Sequence, residues 1–520
     1  MGAAAVRLVT APLDPAALQV LISRLAGVAE EMGAVLQRGA FSPNIKERAD
    51  CSAALFTAGG DLLVQAEHIP VHLGSMPAAV RAAIDRCGDR VGPGDQIVLN
   101  DPFAGGTHLN DVTFVAPCCA GPRLVGWAAN RAHHADLGGM APGSMPPEAR
   151  EIAQEGLRVP PVVLGDDVEA MIVASSRTPH ERRGDLAAQR GANVLGVERL
   201  AALADAPFDE VLDYGERRMR AALDDLPDGE YRFADVLDSA GPGPEQQTPT
   251  RIAVRVTVAG DTVVFDFAGT DAQRAGNVNA VEAVTVSAVA FALRCATDPT
   301  IPANGGTMRP VRVITEPGTV VAAVPPVAVG AGNVEVSQRV ADVCLGALAL
   351  AAPARLGAAS QGTMNNLLVG GDDPAWVYYE TIGGGQGGRP GRAGMSGVHT
   401  NMTNTRDTPV EALERAYPVR VREYGLRRGS GGAGAFSGGE GIVRELELLT
   451  DATISLVTER RTSRPWGLAG GEPGATGENW LLPGGDDRAA RRLPDKCTVR
   501  VRAGDVVRVL TPGGGGYGAP

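Results

Sequence analysis

The sequence predicts a multi-domain α+β fold, and three observations lead to that expectation. The chain has 520 residues, which is more than one simple hydrophobic core normally accommodates. Its first half mixes stretches of helical apolar periodicity with short strand-like runs. From Gly383 onward, dense glycine clusters alternate with short apolar strands, which indicates a β-rich region with tight turns.

The N-terminal part begins with a helix signal and then alternates between the two element types. Asp14 and Pro15 suit the N-cap and first position of a helix, and apolar residues recur at helical spacing from Leu18 to Leu36. A second helix is expected over Pro77–Arg86. The predicted strands are Ala53–Thr57, Leu62–Ala66, Gln96–Asn100, Val112–Ala116 and Leu124–Ala129.

The rest of the chain divides into a long helical stretch, a central mixed region and the glycine-rich end. The pattern is helical from His180 to Leu226, and it becomes β-rich over Glu230–Phe267. Buried helices are expected at Val281–Leu293 and Val336–Ala351. We therefore predict an N-terminal α/β metal-site domain at 1–228, a central α/β region at 229–382 and a glycine-rich β region at 383–520.

Composition excludes several classes of function. The net charge of −12 argues against nucleic acid or an anionic membrane as the main partner. No apolar run reaches the length of a membrane span, so the sequence predicts no membrane association. Seven cysteines without framework spacing indicate a reducing compartment, and a cytoplasmic location is expected. The adjacent Cys118 and Cys119 are interpreted as small buried residues.

Common catalytic motifs are missing from the sequence. There is no GxxxxGK[ST] phosphate loop, no HExxH and no GxSxG. The segments GGGQGG and GSGGAG formally match GxGxxG, but such a match carries little weight in a glycine-rich chain and neither stands in a strand-loop-helix unit. A nucleotide-binding function of this chain is therefore not indicated.

One stretch, residues 98–139, concentrates the residues that bind divalent metals. Three of the seven histidines and three aspartates lie within it. Imidazole and carboxylate are ligands that divalent metals take, so we predict a metal-centred hydrolytic site. These candidates are Asp101, His108, Asp111, His133, His134 and Asp136.

The spacing of these residues limits which of them can meet at one ion. His108 and Asp111 are three apart and face the same way on a turn, which Gly105 and Gly106 permit. Adjacent histidines diverge on an extended segment, so one of His133 and His134 is expected to bind and the other to assist. Asp50 is an upstream carboxylate that could complete the site, whereas His68 and His72 are interpreted as supporting or structural residues.

Long segments resemble the hydantoinase B/oxoprolinase family across nearly the whole chain. They include NDPFAGGTHLNDVTFVAP, AHHADLGGMAPGSMP, GDLAAQRGAN, NVEVSQRVADV, GGGQGGRPGRAGMSGVHTNMTNTRDTPVE and TPGGGGYG. The family includes subunits of ATP-dependent hydantoinases, halves of 5-oxoprolinases, a caprolactamase subunit and subunits of acetone and acetophenone carboxylases. This resemblance implies a hydrolase that acts on cyclic amides.

The resemblance also implies a division of labour and a ligand set. A separate hydantoinase A-type subunit with an actin-like ATPase fold would bind ATP and phosphorylate the substrate, and this chain would complete the reaction at a divalent metal (Zn²⁺, Mn²⁺ or Fe²⁺). The choice of His133 over His134 rests mainly on the resemblance, as does Asp50. The implied metal ligands are Asp50, His108, Asp111 and His133. We expect His134 or Asp136 to orient the ligands or move protons, and Arg131 to hold a phosphate or carboxylate.

Alternatives and one departure stay open at this point. The chain could instead be a subunit of an acetone- or acetophenone-type carboxylase, or a scaffold without catalytic function. An A₂B₂ complex with the ATPase subunit is expected. The family often has a second histidine where this chain has Asn401, which can hydrogen-bond a substrate but cannot shuttle protons near neutral pH.

Overall fold

The structure is a computed structural model that describes residues 13–66 and 69–520. It confirms the predicted α+β class, with four separate sheets within these residues, of which the first two pack against helices. Among the described residues, no helix is long and apolar enough to cross a membrane. The candidate His68 lies outside the described residues.

The first sheet is antiparallel and has the order β2-β1-β5-β4-β3-β6. Its two long central strands form a hairpin whose open end carries the candidate ligands. The helices of this region pack on both faces of the sheet. The strands are β1 (Cys51–Thr57), β2 (Leu62–Ala66), β3 (Ile97–Leu99), β4 (Asp111–Ala120), β5 (Arg123–His133) and β6 (Val162–Val163). The helices are α1 (Pro15–Gly39), α2 (Pro43–Lys46), α3 (Ser75–Cys87), α4 (Asp166–Ser175), α5 (Pro179–Ala201) and α6 (Phe208–Asp224).

Side chains along β5 alternate between the two faces of the first sheet and therefore contact different helices. Ala132 points towards helices α1 and α5, where it packs beside Leu36 and Ala188. Trp127 and Ala129 point to the other face and pack against helix α3. His133 and Arg131 share this second face by parity, and the Arg131 guanidinium reaches Ser75 at the start of α3. The polar end of the hairpin therefore faces the rest of the protein.

The second sheet has the order β10-β9-β8-β7 and carries two buried helices. Helix α8 is preceded by one turn of π-helix, Gly332–Val336. Gly332 is required there, because a Cβ at this position would lie 1.9 Å from the carbonyl oxygen of Asn279. The elements are β7 (Gly229–Leu237), β8 (Thr250–Ala259), β9 (Thr262–Asp266), β10 (Val311–Ile314), α7 (Glu282–Ala296) and α8 (Ser337–Ala351).

Two further sheets, in the orders β12-β11-β15-β18 and β13-β14-β19-β16-β17, pack together around one apolar core. The glycine clusters connect their strands. The elements are β11 (Asn366–Asp372), β12 (Ala375–Glu380), α9 (Val410–Ala416), β13 (Val419–Arg427), β14 (Gly441–Leu448), β15 (Ala452–Val457), β16 (Glu478–Leu482), β17 (Arg491–Leu493), β18 (Lys496–Val501) and β19 (Val506–Leu510).

Most predicted elements are present, with one clear difference in the N-terminal part. The helical stretch from His180 to Leu226 is two helices, α5 and α6, which are separated around Pro207. Helix α5 ends at Ala201, and Pro207 is the N-cap residue of α6. The domain boundaries stay a prediction; strands β11 and β12 precede residue 383 but share a sheet with β15 and β18.

Candidate metal centre

The open end of the β4–β5 hairpin brings two predicted ligands directly opposite each other. In the antiparallel register Asp111 pairs with His133, and Thr113 pairs with Arg131 one step further along. Asp111 is the first residue of its strand and His133 is the last of its own. Functional side chains at strand ends are held by a rigid scaffold on one side and reach a loop on the other.

A tight turn before β4 brings the third ligand to the same place. Gly105 has a φ of 88°, and a Cβ there would lie 2.5 Å from the carbonyl oxygen of Ala78, so only glycine fits. The turn folds the chain back so that His108 faces Asp111. Thr107 supports this arrangement by donating its hydroxyl to Asp111 Oδ2 at 2.5 Å. The bend that the sequence required between His108 and Asp111 is therefore present.

Three ligand atoms converge in this cluster. Asp111 Oδ1 lies 3.2 Å from His108 Nε2 and 3.3 Å from His133 Nδ1, and the two ring nitrogens are 3.2 Å apart. Metal–ligand bonds of about 2.0–2.2 Å place the ligands of one ion roughly 3.0–3.5 Å from each other. The three side chains are fully buried or nearly so. His108, Asp111 and His133 thus form a group that fits a divalent ion.

The electrostatics of the cluster favour the protonation states that bind metal. Burial raises the pKa of Asp111, but the charge and hydrogen bonds of His108, with hydrogen bonds from His133 and His72, hold it well below its usual range. Burial lowers the pKa of His133, although Asp111 and Asp50 oppose this shift. Asp111 is therefore ionised and His133 is neutral at neutral pH, as metal ligands must be.

Residues distant in the sequence complete the surroundings of the cluster. His72 Nε2 lies 3.5 Å from Asp111 Oδ2, and its Nδ1 lies 2.8 Å from the Ser52 hydroxyl. Asn333, from the π-turn, donates its amide to Asp111 Oδ2 at 3.4 Å. The Tyr379 ring stacks on His133 with centroids 4.7 Å apart. Sequence reasoning found His72 only as a supporting residue and missed Asn333 and Tyr379, because neither stands in a pattern of metal-binding residues.

Asp50 lies beside this group without joining it. Its backbone carbonyl accepts a hydrogen bond from the His133 amide at 3.0 Å. Its carboxylate lies 3.5 Å from the Asn44 amide nitrogen, and its charge raises the pKa of His133. The group of atoms that converge within 4.8 Å comprises His108, Asp111 and His133 alone among the described residues. The role of Asp50 as a metal ligand stays a prediction.

Arg131 lies on the same face of the sheet as the cluster and is fully buried. Its guanidinium donates to the Thr113 hydroxyl at 2.8 Å and to the Ser75 hydroxyl at 2.6 Å. Burial lowers its pKa to about 10 although the charge of Asp111 opposes this. The guanidinium therefore stays charged, and its predicted contact with an anionic group stays a prediction.

His134 and Asp136 point away from the cluster. His134 Nε2 lies 2.8 Å from Gln189 Oε1, and its Nδ1 accepts from Arg182 at 2.5 Å. Burial, together with the charge of Arg182, lowers the pKa of His134 to about 3. Asp136 accepts hydrogen bonds from the amide and the guanidinium of Arg177 at 2.8 and 2.9 Å. His134 thus contacts helix α5, and Asp136 contacts Arg177 just before that helix and the loop that follows β5. Their predicted part in catalysis stays a prediction.

The structure also shows the contacts of Asn401, the residue at which the sequence departs from the family pattern. Asn401 has a φ of 55°, in the left-handed region that asparagine adopts more readily than most residues. Its amide donates to Asp342 Oδ1 at 2.9 Å. Its side chain thus ties the loop after His399 to helix α8.

The π-turn also carries a buried carboxyl group, Glu335. Its Oε1 accepts from the Thr363 hydroxyl, the Met364 amide and the Asn366 amide at 3.0, 3.2 and 2.8 Å. Burial, reinforced by the charge of Glu459, raises the pKa of Glu335 to about 8. Glu335 is therefore protonated at neutral pH in the folded protein.

This shift predicts a pH dependence of stability. Between its ordinary pKa of 4.5 and about 8, Glu335 is ionised only in the unfolded chain, so stability falls as pH rises through that window. We expect Glu335→Gln to reduce this fall by roughly 1–3 kcal/mol between pH 5.5 and 7.5. Urea unfolding of both proteins at the two pH values measures it. An unchanged slope in the variant would assign the titration to another group.

Comparison with known proteins identifies the family. The family model described as Hydantoinase B/oxoprolinase matches residues 14–520. The chain is 38% identical to 5-oxoprolinase 1 of Arabidopsis thaliana over 97% of its own length, and it spans 42% of that longer protein. It is 31% identical to a Pseudomonas protein named as the B-type subunit of a D-/L-hydantoinase, covering 98% of this chain and 90% of that one.

Two solved structures share the fold. An ATP-dependent caprolactamase from Pseudomonas jessenii superposes with a TM-score of 0.90 at 30% identity, covering 98% of this chain and 92% of that one. A nucleotide-free acetone carboxylase superposes with a TM-score of 0.87 at 19% identity, covering 97% and 76%, which supports the fold alone. The match of the family model over nearly the whole chain, together with these relatives, establishes that the chain belongs to the hydantoinase B/oxoprolinase family.

Proposed function

We propose that the chain is the metal-dependent subunit of an ATP-dependent cyclic amidase. It would hydrolyse a ring amide that a partner ATPase subunit has phosphorylated. The cluster of His108, Asp111 and His133 carries this proposal, because an ionised carboxylate and two imidazoles converge within reach of one ion. The names of the relatives, hydantoinase and 5-oxoprolinase, and the caprolactamase neighbour support the substrate class.

The chemistry of a cyclic amide explains why such a site is needed. Amide resonance makes the ring carbonyl a weak electrophile, and phosphorylation of its oxygen would create a good leaving group. A divalent ion held by the cluster would supply Lewis-acid chemistry and activate water near neutral pH. The mixed histidine and carboxylate ligation suits Zn²⁺, Mn²⁺ or Fe²⁺.

The residues around the cluster would have different roles according to where they lie. Thr107, His72 and Asn333 hold Asp111 Oδ2, which leaves Oδ1 directed at the two histidines. Tyr379 fixes the plane of the His133 ring by stacking on it. We propose Asp50 as a fourth ligand after a small movement. We also propose that His134 and Asp136 stabilise the ligand-bearing segments from the opposite side, and that Arg131 sets the charge next to Asp111.

The rest of the reaction would depend on a partner. We propose that ATP is bound by an A-type subunit with an actin-like ATPase fold, in a cytoplasmic A₂B₂ complex. The sequence of this chain has only two lysines, and neither stands in a phosphate loop. The 5-oxoprolinase of Arabidopsis thaliana is more than twice as long as this chain, which leaves room in it for a second catalytic unit.

The adjacent histidines provide the test of the metal site. We expect His133→Ala to lose metal and activity together, because it removes one of the three converging ligand atoms. His134→Ala removes contacts with Gln189 and Arg182 only, so the variant should keep its metal, with an effect within the roughly 10–100-fold range of supporting residues. Mass spectrometry of metal content and turnover of the complex measure both.

Circular dichroism should accompany these measurements, because both histidines are buried. A folded His134→Ala protein that has lost its metal, beside a folded His133→Ala protein that retains it, would reverse the assignment. Metal content that is unaffected in both would remove the basis of the proposed function.

A further inference from the structure

The structure contains a cleft of about 580 Å³. It lies between the C-terminal part of helix α7, the segment that follows helix α8 and the glycine-rich segment before the loop at 399–404. Leu73, Phe291 and Leu356 supply apolar walls, while Ser360 and Gln386 supply polar ones. This size and this mixture of surfaces suit a small organic molecule.

The charge of the cleft is unusual for this protein. Arg294, Arg355 and Arg389 line it, and no aspartate or glutamate is among the described residues that do so. The chain as a whole has a net charge of −12. Arg294 and Arg355 donate to the backbone carbonyls of Ile301 and Ala296, which are neutral acceptors. The positive electrostatic potential inside such a cleft attracts anions.

Thr400, one of the residues that line the cleft, has a buried hydroxyl without a partner among the described residues. Thr400 is 6% exposed and lines the cleft, but its hydroxyl makes no hydrogen bond among the described residues. An unsatisfied buried hydroxyl costs free energy unless a ligand or water completes it. His399 beside it is held by long contacts of 3.4 and 3.3 Å to the Thr403 and Thr405 hydroxyls. The cleft lining therefore includes one hydroxyl without a hydrogen bond, on Thr400, and one imidazole with only long hydrogen bonds, on His399.

Residues that line the cleft are connected to residues that surround the metal cluster. Leu73 follows His72, which contacts both Asp111 and Ser52. On another side, the carbonyl of Thr400 accepts a hydrogen bond from Gln338, one turn after the π-turn that presents Asn333 to Asp111. His108, Asp111 and His133 do not line the cleft themselves. The cleft is thus lined by segments that are joined to the residues that position Asp111.

We propose that this cleft takes up the substrate of the proposed amidase in an anionic form. The arginines would bind the anion bidentately, and Phe291 and Leu356 would contact the ring. The anion is a carboxylate on the ring or the phosphoryl group added by the partner, since guanidinium recognises both. The inference rests on the proposed function for the identity of the substrate, but binding in the cleft requires neither metal nor ATP.

Isothermal titration calorimetry of the full chain tests this inference with three probes. The first is 5-oxoproline, a lactam with a carboxylate; the second is 2-pyrrolidinone, the same ring without it; the third is inorganic phosphate. We expect 5-oxoproline or phosphate to bind and 2-pyrrolidinone to give no heat. Binding of 5-oxoproline alone identifies a carboxylate as the anion, and binding of phosphate alone identifies the phosphoryl group. If neither 5-oxoproline nor phosphate binds, the proposal is wrong.

Matched variants locate the binding. Arg355→Gln with Arg389→Gln should weaken anion binding at least about tenfold, because the double variant removes two charge-assisted pairs. Both side chains are exposed, so the fold should persist. Arg491→Gln removes an equally exposed arginine from strand β17, outside the cleft, and should change nothing. Equal weakening in Arg491→Gln, or none in the double variant, contradicts the cleft as the site.

The two proposals can fail separately. Metal content of the arginine variants should equal that of the unmodified chain, because neither arginine contacts the cluster. His108→Ala should lose metal while it still binds the anion in the cleft. Normal metal loading and hydrolysis without any anion binding would remove only this inference, whereas anion binding by a chain that never takes up metal would remove only the proposed function.

Discussion

Asp111→Asn should empty the metal centre and abolish turnover of the assembled enzyme. Asp111 Oδ1 is the atom that lies close to both His108 Nε2 and His133 Nδ1, so its charge is the centre of the ligand set. The neutral amide has nearly the same shape and is a poor metal ligand. We expect a loss of activity well beyond the roughly 10–100-fold that residues behind a ligand contribute. Metal content by mass spectrometry and turnover with ATP measure it.

A buried aspartate on a neighbouring segment provides the matched control. Asp136 is also fully buried, but it accepts hydrogen bonds from Arg177 and the Gly143 amide and contacts none of the three ligands. Asp136→Asn should lose stability and keep stoichiometric metal once folded. If the Asp111→Asn protein retained full metal content and activity, Asp111 would be a structural residue and the cluster would not be the centre of the reaction.

The sequence was sufficient to predict candidates for the cluster but not their arrangement. The concentration of histidine and aspartate gave six candidates that include His108, Asp111 and His133, and the two glycines before His108 permitted the required bend. The choice of His133 over His134 rested mainly on the family resemblance. Strand alternation predicted that His133 and His134 diverge, and in the structure their side chains contact different groups. Which of the two faces Asp111 depends on the register of β4 and β5, which the local sequence does not specify.

Residues that support the cluster from a distance were beyond sequence reasoning. Asn333 and Tyr379 reach Asp111 and His133 across more than 200 residues of chain. An asparagine in a helical stretch and a tyrosine in a strand have many structural uses, so neither carries a local signal. The π-turn that aims Asn333 depends on Gly332 fitting against Asn279, which is a tertiary contact.

The glycine-rich region illustrates the same limit in the fold. Dense glycine among apolar strands predicted tight turns and close packing of the backbone. In the structure many of these glycines pack backbone against backbone; a Cβ on Gly385 would lie 2.0 Å from the carbonyl of Gly439, and one on Gly438 would lie 1.9 Å from that of Gly514. Such pairs join segments far apart in sequence, so composition predicts the kind of packing but not which strands become neighbours.

Lys496→Met should destabilise the protein more than any replacement of an exposed charge. Lys496 is fully buried, and its ammonium donates to Glu459 Oε1 at 2.6 Å and to Asp495 Oδ2 at 2.9 Å. Burial lowers its pKa, but the charges of Asp495 and Glu459 raise it more, so the lysine stays charged. Methionine fills similar space but removes the cation between two buried carboxylates, of which Glu459 keeps a longer contact of 3.5 Å with Arg339. Removing one partner of a buried ion pair costs about 3–5 kcal/mol.

Lys46 is the only other lysine in the sequence, and it is exposed at the end of the short helix α2. Lys46→Met should change the free energy of unfolding by less than about 0.5 kcal/mol, as is typical of surface positions. Urea unfolding of both variants measures the difference. Adding Glu459→Gln to Lys496→Met should recover part of the lost stability, because the penalty comes from the unpaired negative charge rather than from the missing hydrogen bonds. No recovery in the double variant would place the cost in packing around residue 496 instead.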